Sequence, residues 1–138
     1  MMDLLAVADA LKAVALEVPG VKVAALGINQ SWPQTPAAEV ILADGDISME
    51  VAGGSSFLEQ SRVQIVFYVP LTNNLEADER ELIPLLQGFV DSIHDPAFDY
   101  TLGGLVENLR AVNFTFTVTA RNRRSYRAAA LTLLVGEL

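Results

Sequence analysis

The longest regular pattern in the chain runs through residues 112–135. Val112, Phe114, Phe116 and Val118 alternate with Asn113, Thr115, Thr117 and Thr119, the two-residue period of a strand with one buried and one wet face. Asn122, Arg123, Arg124 and Ser125 read as a short arginine-rich turn. The run that follows puts Arg127, Ala129, Leu131, Leu133 and Val135 on one face and Tyr126, Ala128, Ala130, Thr132 and Leu134 on the other. A strand that is apolar on both sides is expected at the centre of a sheet or beneath another subunit.

Two stretches carry helical periodicity instead. After Asp3, a candidate cap, Leu4, Ala8, Leu11, Ala15 and Val18 fall on one stripe, and Pro19-Gly20 stops it. The polar side of this helix holds only Asp9, Lys12 and Glu17, so it is expected to be covered on more than one face. The second helix has an acidic start at Glu76, Asp78, Glu79 and Glu81, which suits the helix dipole, and then Leu82, Leu86, Phe89 and Ile93. Pro84 requires that the helix start just before it or kink there, and His94-Asp95-Pro96 ends it.

Between the helices the period returns to two. A short strand is expected over residues 21–28, then a loop over residues 29–36 with Trp32 followed by Pro33 and Pro36. Residues 37–42 and 47–52 read as paired strands about an Asp44-Gly45-Asp46 turn, because glycine takes the positive φ that tight hairpins require. On the second of these, Ile47, Met49 and Val51 face opposite to Ser48 and Glu50, and Gly53-Gly54-Ser55-Ser56 connects onward. Residues 62–69 form the clearest strand, with Val63, Ile65, Phe67 and Val69 inward, Arg62, Gln64 and Tyr68 outward, and Pro70 closing it. The sum is one α+β domain over residues 1–138: a mixed, mostly antiparallel sheet of five to six strands packed by two helices.

Composition changes this picture in two ways. The chain is 51% hydrophobic with a mean hydropathy of +0.35, above the usual share for a soluble domain, yet no apolar run approaches the roughly 20 residues of a membrane helix. Residues 1–18 lack the basic start of a signal peptide. The surplus is therefore assigned to contacts with other protein rather than lipid. A net charge of -8 disfavours nonspecific nucleic-acid binding, and the absence of cysteine excludes disulfides and thiolate metal sites. The basic charge is also uneven: only Lys12, Lys22, Arg62 and Arg80 precede residue 100, whereas Arg110, Arg121, Arg123, Arg124 and Arg127 follow it.

No catalytic constellation is legible. His94 beside Asp95 invites acid/base chemistry, but a histidine in the last turn of a helix is an ordinary dipole complement. Asp44 and Asp46 lack the ligand spacing of a calcium loop, and Gly53-Gly54-Ser55-Ser56 lacks the lysine of a phosphate loop. The serines have neither a nucleophile elbow nor a positioned base. The reading is a non-enzyme without cofactor or metal. The polar feature that stands out is the cluster Arg121, Arg123, Arg124 and Arg127 with Tyr126. It docks on an acidic surface, of a neighbouring subunit or a partner, or it is a solvated hairpin tip that guards a sheet edge. Trp32 is expected as an exposed anchor for a partner, or folded back on the body.

Several phrases also carry a resemblance. A leading helix closed by Val18-Pro19-Gly20-Val21, a proline-rich loop, the strand at residues 62–69, an acidic-start helix, Leu102-Gly103-Gly104-Leu105-Val106 and a closing Tyr126-Arg127-Ala128-Ala129 together resemble the tail terminator and neck (head-tail joining) proteins of long-tailed bacteriophages, over nearly the whole chain. The resemblance implies an α+β protomer that closes into a ring, commonly a homohexamer, at the head-proximal end of the tail tube. Such a ring stops tube polymerisation and presents a surface to the head connector, so the implied partners are further copies, tube protein and connector, with DNA passing the lumen without specific binding. The implied place is the virion, after assembly in the host cytoplasm. No fixed motif transfers residue by residue; loops and the closing hairpin are implied as subunit contacts, with Trp32, Arg121, Arg123, Arg124, Tyr126 and Arg127 the candidates. Other tail-completion or connector proteins share these traits, and a small ligand- or peptide-binding module using the Trp32 loop and a sheet face is the alternative outside that class.

Overall fold

The computed structural model describes residues 3–27, 32–49 and 56–136. The chain runs α1 (Leu4–Glu17), β1 (Val23–Leu26), β2 (Ala37–Met49), β3 (Ser56–Pro70), α2 (Leu75–His94), β4 (Asn108–Arg121) and β5 (Arg124–Gly136). The five strands form one sheet in the order β1-β2-β3-β5-β4, with β1 parallel to β2 and every other pair antiparallel. This is the α+β class expected, with β5 inside the sheet as its two apolar faces require.

Both helices begin with a side chain that accepts an otherwise orphaned backbone N–H: Asp3 from Ala6 N at 3.1 Å, and Asn74 from Ala77 N at 3.1 Å. They lie on the same side of the sheet, α1 over β1 and β2, α2 over β3 and β5. Val7, Leu11 and Ala15 of α1 and Leu82, Phe89 and Ile93 of α2 meet Val63, Ile65, Phe67, Ala129, Leu131 and Leu133 in a continuous core. Each fully buried side chain of this size contributes about 1.5–3 kcal/mol. α2 passes through Pro84, whose position on the exposed side lies one turn from the exposed Arg80, so the carbonyl left without a donor is on the solvent side. Buried Asp78 fastens the start of the helix by accepting from Thr72 N at 2.9 Å and Thr72 Oγ1 at 2.7 Å.

The opposite face of the sheet, expected to be wet at Tyr68, carries a second, smaller core. Trp32, Ala37, Val66, Tyr68, Tyr126 and Ala128 are buried together there. The inward and outward sets on β3 and β5 alternate as the period dictates, but the outward set is covered at this end by the Trp32 segment.

Three expectations need correction. The Asp44-Gly45-Asp46 segment is no turn: β2 continues through it, paired with Arg62, Ser61 and Gln60 of β3 across local register shifts. Gly45 does not adopt positive φ; a Cβ there would lie 2.6 Å from the Gln60 carbonyl oxygen, so the glycine admits a close strand approach. Asp44 meets Arg62 across the pair at 3.2 Å. The residues 50–55 that would finish the expected strand and form the Gly-Ser connection lie outside the described residues, as does Ile28. Secondly, the last hairpin turns on two residues rather than four: Arg121 pairs with Arg124, while Asn122 and Arg123 take φ of 50° and 66°. Both central residues at positive φ is the turn whose twist matches a hairpin. Thirdly, the apolar stripe of β4 is not buried, and this is where the site begins.

Candidate functional site

β4 is an edge strand. Its lower part points Leu109 and Ala111, opposite Val135 and Leu133, toward the helices. Val112 is then skipped in the pairing, a bulge, and from Phe114 onward the even residues take over that face, opposite Leu131, Ala129 and Arg127. The bulge explains why the apolar alternation changes phase between Ala111 and Phe114. α2 covers β3 and β5 but does not extend across β4. Phe114 is 58% exposed, Val118 53% and Val112 50%, with Ile83 of α2 nearby at 48%. Between α2 and β4 runs an apolar groove of about 380 Å³, lined by Ile83, Leu86, Val90, Ala111, Phe114 and Phe116.

The far edge of the sheet is similar in character. α1 was expected to be covered on more than one side, yet Leu5 is 65% exposed and Leu16 46%, and Leu42 of β2 is 45% exposed. Leu5, Ala8, Leu26, Val40 and Leu42 line a second apolar groove of about 420 Å³. One protomer thus carries two apolar strips, at opposite ends of the strand order. Half-exposing a Phe or Val forgoes roughly 1 kcal/mol of burial at each position.

The arginine cluster divides into two pairs. Arg121 reaches over the second face of the sheet and forms a two-pronged bond to Glu39, at 2.8 and 3.1 Å, and donates to the Tyr68 hydroxyl at 2.7 Å. Tyr68 itself donates to Glu39 at 2.6 Å, and the guanidinium lies 4.9 Å from its ring centre. Glu39 is fully buried, so this cluster compensates a charge taken out of water. Burial first, and then the hydrogen bond and charge of Glu39, push the Tyr68 phenol well above its ordinary range, against the opposing pull of Arg121. The hydrogen bond to Glu39 likewise raises Arg121. Arg127, on the helix side, pairs with Glu79 of α2 and covers the Phe116 ring at 5.5 Å. Arg123 and Arg124 remain exposed at the tip and have no ionic or hydrogen-bonding partner among the described residues.

Trp32 is not an exposed anchor. It is 2% exposed, with its ring 5.6 Å from Tyr68, and Tyr68 in turn stands edge-on to Tyr126 at 5.9 Å. Tyr126 is buried too, and its hydroxyl accepts weakly from Trp32 N at 3.5 Å. Of the six contact candidates, Trp32, Arg121 and Tyr126 belong to this second core, Arg127 to the helix layer, and Arg123 and Arg124 alone face outward. His94 ends α2, exposed. Among the described residues no three metal-ligating side chains gather in one place. Sequence reasoning missed the β4 and α1 strips as surfaces, since it placed both inside. The signal was present in the surplus of apolar residues and the thin polar side of α1.

No protein-family model matches the chain, and no curated protein matches it either.

Proposed function

We propose that this chain is a structural assembly protein whose copies join head to tail into a closed ring, acting as a tail terminator at the head-proximal end of a bacteriophage tail tube. The observation that carries the assembly is the pair of uncovered apolar strips at opposite ends of one sheet. Two different patches on opposite sides of a protomer make a heterologous contact, which closes into a ring when the rotation permits. The strip on β4 and α2 then meets the strip on α1 and β2 of the next copy. Charge supports the same pairing: Arg123 and Arg124, without an ionic partner among the described residues, lie at the end of the β4-β5 hairpin, whereas α1 and its cap carry Asp3, Asp9 and Glu17 against Lys12. The tail terminator reading rests in addition on the resemblance of the sequence phrases to that family, and on an acidic chain suited to a lumen that DNA must pass.

A complementation experiment tests it. Phe114→Asp and Leu5→Asp each place a charge in one strip, and each variant alone is expected to run near the 14.9 kDa of the protomer. Mixed together they retain one intact pair of strips and are expected to give a dimer. Two variants that stay apart on mixing rule out the head-to-tail contact. The terminator role is tested separately, by adding the wild-type protein to growing tail tubes and measuring tube length by electron microscopy: capped tubes are expected to stop lengthening, and unaffected growth rejects that role.

A further inference from the structure

Beside the second core lies a crevice of about 280 Å³, lined by Trp32, Pro33, Thr35, Pro70, Arg124 and Tyr126, with Ser125 at its edge. Each of its polar side chains can donate a hydrogen bond. The Trp32 indole N–H is buried and has no acceptor among the described residues. The Arg124 guanidinium is part of the same lining and has no partner among the described residues. The hydroxyls of Thr35, Ser125 and Tyr126 add donors that can turn toward a guest. Glu39, the buried carboxylate of this face, is already bound by Arg121 and Tyr68. A crevice rich in donors, with an ionised guanidinium and an orphaned indole N–H, has no anionic acceptor among the described residues that line it. Its remaining walls, two prolines and an indole, are apolar and suit methylene groups.

We infer that this crevice is a binding site for a carboxylate on a short aliphatic stem, held by Arg124 in a charge-assisted pair and oriented by the walls of Trp32, Pro33 and Pro70. Phosphate fits the site less well, because the described lining offers one guanidinium and a largely apolar wall. The carboxylate comes either from a free small acid or from a glutamate side chain of a second copy, of which an acidic chain has a supply. The inference does not require the ring, since all the residues named belong to one protomer.

Trp32 is the only tryptophan, so the protein has one indole N–H resonance, and it sits in the site. The experiment follows that resonance in protein labelled with 15N-tryptophan during addition of N-acetylglutamate methylamide, with the neutral glutamine analogue as control. The acid is expected to move the signal in a saturable way and the amide to leave it in place. Arg124→Gln, an exposed position, is expected to keep the thermal midpoint and weaken the acid's binding about tenfold, the loss of one charge-assisted bond. A dilution series without added acid separates the sources. Movement with protein concentration that Arg124→Gln abolishes identifies the second copy, while movement only on addition of the probe identifies a free acid. A signal that neither treatment moves, equal movement with the amide, or indifference to Arg124→Gln overturns the inference.

Discussion

β3 and β4 carry the same alternation of apolar and polar residues and meet opposite fates. Val63, Ile65, Phe67 and Val69 of β3 are fully buried beneath the helices, whereas Phe114 and Val118 of β4 stand more than half in water. The strands differ in place rather than in pattern. β3 lies in the middle of the sheet, within reach of α2, and β4 lies at the edge beyond it. A period of two states that a strand has an apolar face; it does not state what covers that face. On β3 the cover is the chain's own helix, and on β4 we assign it to a neighbouring copy.

The sharpest test of that difference is a matched truncation. Phe67→Ala empties a packed position against Phe89, where the rings are 6.0 Å apart, and is expected to cost about 3–5 kcal/mol in urea unfolding. Phe114→Ala is expected to cost no more than about 1 kcal/mol in the isolated protomer, and to show instead as a loss of oligomer mass in light scattering. Equal losses of protomer stability from the two would erase the distinction between the strands.

The same contrast of committed and free groups is repeated in the final hairpin. Removing the guanidinium of Arg121 takes the charge-assisted pair away from a buried Glu39, so Arg121→Ala is expected to destabilise by about 3 kcal/mol. Arg124→Ala, at an exposed position without a partner among the described residues, is expected to change stability by less than about 0.5 kcal/mol. Denaturation midpoints measured side by side decide this, and similar values would mean that the cluster is not divided as described.

A pH series probes the buried half of that cluster. The Tyr68 phenol is raised in the folded protein above its ordinary value of 10.0, so the unfolded chain loses this proton first. Its contribution is complete below about pH 10 and declines as pH rises toward the folded value, by up to about 1.4 kcal/mol for each unit. Urea unfolding on either side of pH 10 is expected to show this fall, and Tyr68→Phe is expected to flatten it. An unchanged slope in that variant would remove Tyr68 as its source.

The smallest effect concerns the tip. Arg123 occupies a left-handed conformation that glycine adopts more readily. Arg123→Gly is therefore expected to raise stability by roughly 0.5–1 kcal/mol while weakening assembly, as calorimetry and sedimentation would register. A variant that is less stable and assembles normally would argue that the arginine is retained for the turn rather than for a contact.

The fold was largely legible because helix and strand periods are local properties. The stripe of α1, the Leu82, Leu86, Phe89 and Ile93 face of α2, and the two faces of β5 all follow from residue spacing. What failed was non-local. Asp44-Gly45-Asp46 has turn chemistry, but the partner strand supplies Arg62 for the acid and a carbonyl so near Gly45 that only a glycine fits. Trp32 looked free because nothing near it in sequence foretells Tyr68 and Tyr126 beneath it. The arginines stand out as a group in the sequence, and their division depends on Glu39 and Glu79, each distant in the chain.

The bulge at Val112 has an evolutionary corollary. Because Val112 is the surplus residue between Ala111 and Asn113, whose partners Leu133 and Thr132 are consecutive, its deletion would leave Leu109, Ala111, Phe114 and Phe116 on one face of an unbroken strand. A lineage could therefore lose that codon and keep its sticky patch on the same side of the molecule, with no exchange of amino-acid types at all.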